Sequence, residues 1–220
     1  MVLDAAAFTD ALKQGIQRAA DNEIVVLGIR PDRPETGYGY IHVATDGAQV
    51  KAFVEKPDKE TALRYLAEGS YFWNGGIFVL RASILLEALT AFRPDIADAV
   101  AAAWQGHTID GRFIRPDAAG FASVPAESID YAVMERCPGS HFSMSMVPLA
   151  AGWSDLGSWD AAWETSPKDK VGNAQVGDAM IQDSQNVLVH ATSRLVSVVG
   201  VSNVIVVETP DAVLVADRSR

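Results

Sequence analysis

The chain has 220 residues, 49% of them hydrophobic and 21% charged, which suits a folded core and excludes a disordered tail, a collagen and a disulfide-stapled mini-protein. Asp and Glu outnumber Lys and Arg by 28 to 18, and the resulting net charge of −10 disfavours general binding of nucleic acid or anionic lipid. The single cysteine, Cys137, excludes an internal disulfide and a cysteine-based zinc site, and we expect it to be a small packing residue.

The first part of the chain predicts a helix followed by strands. The helix is indicated by an apolar residue at every third or fourth position, namely Phe8, Leu12, Ile16 and Ala19. Asp4 is placed to cap it. Residues 23–29 form a short apolar run typical of a strand. Residues 42–54 predict two strands that turn at Asp46–Gly47, a dipeptide favoured in hairpin turns.

Helices and short strands then continue to alternate. Asp58 predicts the start of a helix that stops at Gly69, residues 76–80 predict a buried strand, and residues 95–105 predict an alanine-rich helix. This alternation indicates a layered α/β domain, which we place at residues 1–166.

The last fifty residues have a different pattern, without a helical period. Short β-branched runs recur about every 8 to 10 residues. These runs are residues 180–181, 187–189, 195–199, 204–207 and 213–215. They predict a small all-β module over residues 167–220, either a sandwich or the coils of a β-solenoid.

Two candidate ligand-binding segments lie in the first half. Gly37 and Gly39 flank Tyr38, so backbone amides could approach a ligand beside an aromatic ring, although a plain glycine turn before the hairpin explains the same pattern. Glu55 and Lys56 follow an apolar strand, where the ammonium is well placed for a phosphate. The alternative for this pair is a weak surface ion pair.

Three further segments carry candidate side chains. Asn74 and Gly75 follow three aromatic residues, a combination that suits a sugar, although aromatic residues before a strand are more often part of a core. Asp155 lies between small residues and could hold a hard cation, or simply form an Asx-turn. Glu127 and Asp130 stand at the start of a short predicted helix, where capping is the usual role of carboxylates.

Taken together, these segments carry a resemblance that covers almost the whole chain. Their order and spacing resemble the mannose-1-phosphate guanylyltransferases, and more closely the long bacterial form fused to a mannose-6-phosphate isomerase domain. The matching segments are residues 35–41, 53–57, 73–78, 127–131, 152–159 and 206–215. The resemblance implies a Rossmann-like nucleotidyltransferase domain with a mixed sheet, followed by the β-rich module.

The resemblance also implies a reaction, in which GTP and mannose 1-phosphate give GDP-mannose and pyrophosphate. By analogy with the family, Lys56 neutralises the sugar phosphate, Glu55 holds sugar hydroxyls, and Asp155 is one of two aspartate ligands to Mg²⁺. By the same analogy Gly39 and Asn74 line the sugar pocket, and Gly37, Tyr38 and Gly75 are further candidate substrate-binding residues. Gly75 stands where the family usually has Ser.

The family's opening glycine-rich nucleotide loop matches no residues here, so the resemblance indicates an internal portion of such an enzyme, and we expect it to make no GDP-mannose alone. Two alternatives are a sugar-1-phosphate nucleotidyltransferase with another base or sugar, and a non-catalytic fragment used for binding or assembly. We expect the chain to self-associate through an exposed sheet edge. Residues 1–12 lack a basic segment, and residues 195–207 are too short and polar to span a bilayer, so we expect a cytoplasmic protein without membrane or nucleic-acid partners.

Overall fold

The computed structural model of the protein describes residues 1–45 and 47–220. Their contacts divide the described chain into two units, Val2–Trp153 and Met1 with Ser154–Arg220. No helix in this part of the chain combines the length and the apolar character needed to cross a membrane. The domain boundary between residues 166 and 167 stays a prediction.

The unit Val2–Trp153 alternates helices with strands, as the sequence predicts. Its elements in chain order are α1 (Ala5–Ala20), β1 (Ile24–Ile29), β2 (Tyr40–Val43), β3 (Val50–Val54), α2 (Lys59–Glu68), β4 (Tyr71–Val79), α3 (Ala82–Phe92), α4 (Pro94–Gln105), β5 (Thr108–Asp110), β6 (Phe113–Arg115), α5 (Ala118–Ala122), α6 (Ile129–Ala132), a 3₁₀ helix (Met134–Arg136) and β7 (Met144–Pro148).

Local capping explains where the first two helices begin and end. The Asp4 carboxylate accepts from the amides of Ala6 and Ala7 at the start of α1, which confirms the predicted cap. Asp58 caps α2 through the amide of Thr61, and α2 ends at Gly69, whose φ of 71° is left-handed. Both boundaries of α2 are therefore as predicted.

The packed face of α1 includes Phe8, Leu12 and Ala19 of the predicted stripe but not Ile16. Ala11, Gly15 and Ala19 are the buried residues of this helix, whereas the side chain of Ile16 is 59% exposed. An added Cβ at Gly15 would lie 3.2 Å from Val79 of β4, so the small residues allow the helix to approach the sheet closely. The prediction for Ile16 is wrong because close approach, rather than side-chain size, selects the packed face.

Strands β1–β4 and β7 form a mixed sheet in the order β3-β2-β4-β1-β7. β1 runs parallel to β7 and antiparallel to β4, and β2 and β3 pair as the predicted antiparallel hairpin. Asp46 in the predicted hairpin turn lies outside the described residues. β4 begins at Tyr71 rather than Gly76, and its last residues are only partly buried, so the predicted strand 76–80 is too short and its burial is overstated.

The core of this unit lies on both faces of the sheet. One cluster includes Ile24, Val26, Ile41 and the helix residues packed on that face, and Cys137 is fully buried in it. The cluster on the opposite face joins Val25 and Leu27 to α1. Because β1 is buried on both faces, it reads in the sequence as a continuous apolar run.

The unit Ser154–Arg220 contains one further helix, the predicted β-branched strands and a strand, Ala174–Val176, that the sequence did not predict. Its elements are α7 (Trp159–Thr165), β8 (Ala174–Val176), β9 (Ala179–Gln182), β10 (Leu188–Ala191), β11 (Val196–Val199), β12 (Val204–Glu208) and β13 (Val213–Asp217). β10 pairs in parallel with both β8 and β12, and β9 pairs in parallel with β11. Parallel stacking of every second strand is the geometry of a solenoid, so this alternative holds and the sandwich does not; the last strand, β13, pairs antiparallel with β12.

Candidate functional site

The segment after β3 forms a corner that places Glu55 and Lys56. Lys56 has a φ of 47°, a left-handed conformation that is unfavourable for residues other than glycine and therefore has to be held by its surroundings. Its ammonium lies 3.4 Å from Oε1 of Glu55. The Lys56 side chain is 57% exposed but that of Glu55 is only 9% exposed, so this is not the plain surface ion pair that the sequence left open.

The second carboxylate oxygen of Glu55, Oε2, is one of two buried side-chain atoms without a hydrogen-bond partner among the described residues, and the other is Nε1 of Trp73. A Cβ added to Gly39 would lie 2.5 Å from this oxygen and 3.2 Å from Cβ of Asn74, so the three residues are immediate neighbours. Because a buried acceptor without a hydrogen bond is unfavourable, Oε2 is suited to accept a hydrogen bond from a hydroxyl group of a ligand.

Burial and neighbouring charges raise the pKa of the Glu55 carboxyl. Burial is the largest cause, the negative charge of Asp130 is the next, and Glu135 adds to the effect. Lys56 acts in the opposite direction through its charge and its hydrogen bond. The site therefore contains a carboxyl whose ionisation depends on the groups packed around it.

Asn74 lies within β4 and has both ends of its side-chain amide engaged. Nδ2 donates to Oδ1 of Asp130 over 3.2 Å, and Oδ1 accepts from the amide of Gly76 over 2.9 Å. The backbone amide of Asn74 donates to the carbonyl of Gly39 over 2.7 Å. These bonds leave one side-chain N–H and one lone pair for a ligand, in a defined orientation.

The glycines and aromatic residues of the candidate segments contribute mainly to turns and packing. The amide of Gly37 donates to Oε1 of Glu35 over 3.0 Å, and the ring of Tyr38 stands edge-on to Trp73 with centroids 5.4 Å apart. Trp73 is buried in a cluster of aromatic side chains, so its assignment as core holds. A Cβ at Gly75 would lie 2.9 Å from the carbonyl oxygen of Leu27, which explains glycine there by close strand packing.

Two carboxylates, Glu127 and Asp130, have a role in the structure that differs from the one predicted from the sequence. The helix α6 has no side-chain hydrogen bond at its N-cap, Ser128, so neither Glu127 nor Asp130 forms the predicted cap, although Asp130 lies in the first turn. Glu127 instead pairs with Arg93, and Asp130 accepts from Asn74. Glu135, for which the sequence suggested no role, accepts from the backbone amide of Glu55 over 2.7 Å.

A signal for these residues was present in the sequence. Asp130 and Glu135 flank Ala132, Val133 and Met134, which are all buried. Asp130 and Glu135 are themselves half-buried, and a carboxylate that is partly removed from water is stabilised by a polar partner. That pattern indicates contacts within the fold rather than helix capping.

Asp155 lies in the unit Ser154–Arg220, in the exposed loop before α7. Its Oδ1 accepts from the amide of Gly157 over 3.1 Å, the contact of an Asx-turn. Across the described residues, no group of three or more His, Cys, Asp or Glu side chains could hold a metal ion. Magnesium is often bound by one or two carboxylates together with substrate phosphates, and an exposed aspartate fits that mode of binding.

Comparisons with known proteins agree with this architecture. Residues 1–171 match the family model of nucleotidyl transferases, and residues 177–220 match that of the MannoseP isomerase/GMP-like beta-helix domain. The crystal structure of mannose-1-phosphate geranyltransferase from Thermus thermophilus superposes with a TM-score of 0.84 and 30% identity, covering 100% of this chain and 63% of the other.

Curated bacterial proteins are also similar to this chain. The xanthan biosynthesis protein XanB of Xanthomonas campestris is 48% identical over 222 residues, which cover 100% of this chain and 46% of XanB. The mannose-1-phosphate guanylyltransferase ManC of Salmonella typhimurium is 47% identical over 220 residues, which cover 96% of this chain and 45% of ManC. The chain thus spans about half the length of the curated relatives that it matches.

Proposed function

Because the chain belongs to the nucleotidyl transferase family, we propose that its site holds mannose 1-phosphate for attack on the α-phosphorus of GTP. The products are GDP-mannose and pyrophosphate. ManC, which is named for this activity, supports the proposal through its 47% identity. The observation that carries it is the buried, unpartnered Oε2 of Glu55, a carboxylate whose other oxygen contacts the Lys56 ammonium and which lies close to Gly39 and Asn74.

The proposed roles follow from the chemistry of each group. Lys56 supplies a positive charge for the sugar phosphate, and an ammonium serves well as a point charge for that purpose. Oε2 of Glu55 accepts a sugar hydroxyl, and the remaining N–H and lone pair of Asn74 bind a second polar group of the sugar. Gly39 has no Cβ and therefore lets the Glu55 carboxylate and Asn74 lie close to the backbone of this segment.

In phosphoryl transfer of this kind, catalysis consists mainly of positioning and charge neutralisation. The oxygen of the sugar phosphate attacks in line and pyrophosphate leaves, so the protein forms no covalent bond to the substrate. Lys56 and Glu55 orient mannose 1-phosphate through its two ends, Lys56 at the phosphate and Glu55 at the sugar ring.

Nucleotidyl transferases generally use a divalent metal ion. We propose that this ion is Mg²⁺ and that Asp155 provides one of its oxygen ligands. The metal would neutralise charge on the reacting phosphates. Gly37 and Tyr38 border the sugar site in this proposal, and Gly75 allows β4 to pack closely against β1.

A chimera tests the proposal as a whole. The segment of Salmonella ManC that aligns with this chain is replaced by the chain, and GDP-mannose formation from GTP and mannose 1-phosphate is measured. We expect turnover, with the KM for mannose 1-phosphate raised about tenfold to a hundredfold by Lys56→Ala, which removes a charge-assisted contact.

The matched control is Lys51→Ala, because Lys51 is an exposed lysine of the neighbouring strand β3 whose ammonium contacts Gln49. It should leave the KM close to that of the parent chimera. A folded chimera without turnover would contradict the proposed reaction. Equal effects of Lys51→Ala and Lys56→Ala would contradict the proposed role of Lys56.

A further inference from the structure

One short segment, residues 128–136, contacts both of the strands that carry the candidate site. It contains α6 and the 3₁₀ helix Met134–Arg136. Asp130 reaches Asn74 on β4, and Glu135 reaches the backbone of Glu55 after β3. β3 and β4 are not neighbours in the sheet, since β2 lies between them. The segment therefore links two parts of the site that the sheet does not link directly.

We propose that Asp130 and Glu135 are positioning residues that hold Asn74 and the Glu55–Lys56 corner in the geometry required to bind the sugar phosphate. This inference rests on the proposed function and deepens it, because it assigns roles to two carboxylates that do not themselves need to touch the substrate.

The segment is rigid enough to act in this way. Ala132, Val133 and Met134, between the two carboxylates, are at most 2% exposed. Arg136, at the end of the 3₁₀ helix, donates to the carbonyl of Tyr131 over 3.2 Å and to that of Phe92 over 3.0 Å. A segment anchored in the core and tied at its end to a neighbouring helix can fix the position of the side chains that it carries.

Asp130 determines which way the Asn74 amide faces. A carboxylate only accepts hydrogen bonds, so the Asn74 group that faces Asp130 must be the NH₂. The amide oxygen must then face the N–H of Gly76, which needs an acceptor. Together these contacts exclude the flipped amide, in which oxygen would face carboxylate. A ligand consequently meets one fixed donor and one fixed acceptor.

Glu135 stabilises the corner that carries Lys56. The backbone N–H of Glu55 donates to Oε1 of Glu135 over 2.7 Å, a charge-assisted bond. The next residue, Lys56, has the unfavourable φ of 47°. Left-handed backbone of this kind persists when the surroundings over-determine it, and the Glu135 bond is the contact that fixes the residue immediately before it.

The charges of the segment also act on Glu55. The charged groups that face the Glu55 carboxyl are Asp130, Glu135 and Lys56, and the two acidic groups raise its pKa while Lys56 lowers it. Removal of the Asp130 charge should therefore lower the pKa of Glu55. This gives a readout of Asp130 that a purely structural role would not change.

The test of Glu135 uses amide hydrogen exchange and binding in the 220-residue chain. In Glu135→Ala we expect the amide of Glu55 to exchange about tenfold faster or more, and mannose 1-phosphate to bind about tenfold more weakly. Glu135→Gln keeps an acceptor oxygen and should stay within about threefold of the parent in both measurements. Glu87→Ala, an exposed acidic residue of α3, is the surface control.

The test of Asp130 compares two variants by the carbon-13 NMR titration of the Glu55 carboxyl. Asp130→Asn removes the charge but can still accept from Asn74, so it should lower the Glu55 pKa while weakening sugar-phosphate binding less than Asp130→Ala. Asp130→Ala should lower the pKa and also release the Asn74 amide, seen as faster exchange of its side-chain N–H.

Several outcomes would overturn the inference. These are Glu55 amide exchange in Glu135→Ala equal to that in Glu87→Ala, failure of Glu135→Gln to restore slow exchange, and a Glu55 pKa that neither Asp130 variant changes. Exchange and titration are measured without ligand, so they decide the inference even if the parent chain does not bind mannose 1-phosphate. That last result would instead contradict the proposed function.

Discussion

Gly39→Ala should separate ligand binding from folding more cleanly than any other single change in the site. The new methyl group would lie 2.5 Å from Oε2 of Glu55, whereas an ordinary contact begins at 3.4 Å. The Glu55 carboxylate must therefore retreat by about 0.9 Å. Asn74, whose Cβ would be 3.2 Å away, needs to move by only a few tenths of an ångström.

This displacement should weaken ligand binding strongly and change the stability of the fold only slightly. A misplacement of about 1 Å in a binding site can cost about a hundredfold, so we expect mannose 1-phosphate to bind about tenfold to a hundredfold more weakly. The free energy of unfolding should change by less than about 1 kcal/mol, because the carboxylate is the end of a flexible side chain and alanine restricts the unfolded chain. Gly39 does not have the left-handed φ that would strain an alanine.

Calorimetric titration with mannose 1-phosphate and thermal melts of the same samples measure the two quantities. Gly37→Ala is the matched control, since its methyl group would meet only Oε1 of Glu35, at 3.3 Å. We expect its affinity to fall far less than that of Gly39→Ala. An equal loss of affinity in the two variants, or a loss in Gly39→Ala only in proportion to a large loss of stability, would contradict a direct displacement of the Glu55 carboxylate.

Three other changes have defined outcomes. The hydroxyl and amide of Ser193 hold the pKa of Glu208 at about 2, below its usual 4.5, so the β-solenoid should lose stability as pH falls from about 4.5 towards 2. Thermal melts across this range should show a smaller acid dependence, and a lower melting temperature at neutral pH, for Glu208→Gln. In the ManC chimera, Asp155→Asn should lower turnover and shift the Mg²⁺ dependence with little effect on the KM for mannose 1-phosphate; unchanged kinetics would leave Asp155 only its turn role. Burial raises the pKa of Cys137 to about 11, so a thiol reagent should modify this residue only after the chain unfolds. The reaction is measured by the absorbance of the group that the reagent releases. Rapid modification of the native chain would contradict the burial of Cys137.

Local signals predicted much of the fold because they act between near neighbours. Asp4 and Asp58 satisfy the free amides of the helices that they precede, so their positions indicate helix starts whatever the tertiary structure. The short apolar runs of residues 187–189 and 204–207 lie in β10 and β12 or directly before them, since β-branched residues suit paired strands.

Features that depend on distant contacts could not be read in the same way. Ile16 fits a helical stripe, but the face that packs is chosen by the close approach of Gly15 to Val79. Likewise, the solenoid and sandwich alternatives differ only in which strands pair, and spacing alone does not determine pairing. The parallel register of Val189 with Val206 decides between them.

The candidate site was predicted in part for the same reason. Glu55, Lys56 and Asn74 stand in recognisable local patterns, and the structure brings Glu55 and Asn74 together beside Gly39. Asp130 and Glu135 act on partners 56 and 80 residues away, so nothing in their local sequence identified those partners. The unpartnered Oε2 of Glu55 is a property of packing and has no local signal.

The proposed contact of Lys56 with the sugar phosphate is tested most directly by a calorimetric titration of the 220-residue chain with mannose 1-phosphate and with mannose. We expect mannose 1-phosphate to bind more tightly than mannose, and Lys56→Ala to remove this difference because the contact with the phosphate is lost. Equal affinities for the two sugars, or a preference for mannose 1-phosphate that survives Lys56→Ala, would contradict the proposed contact.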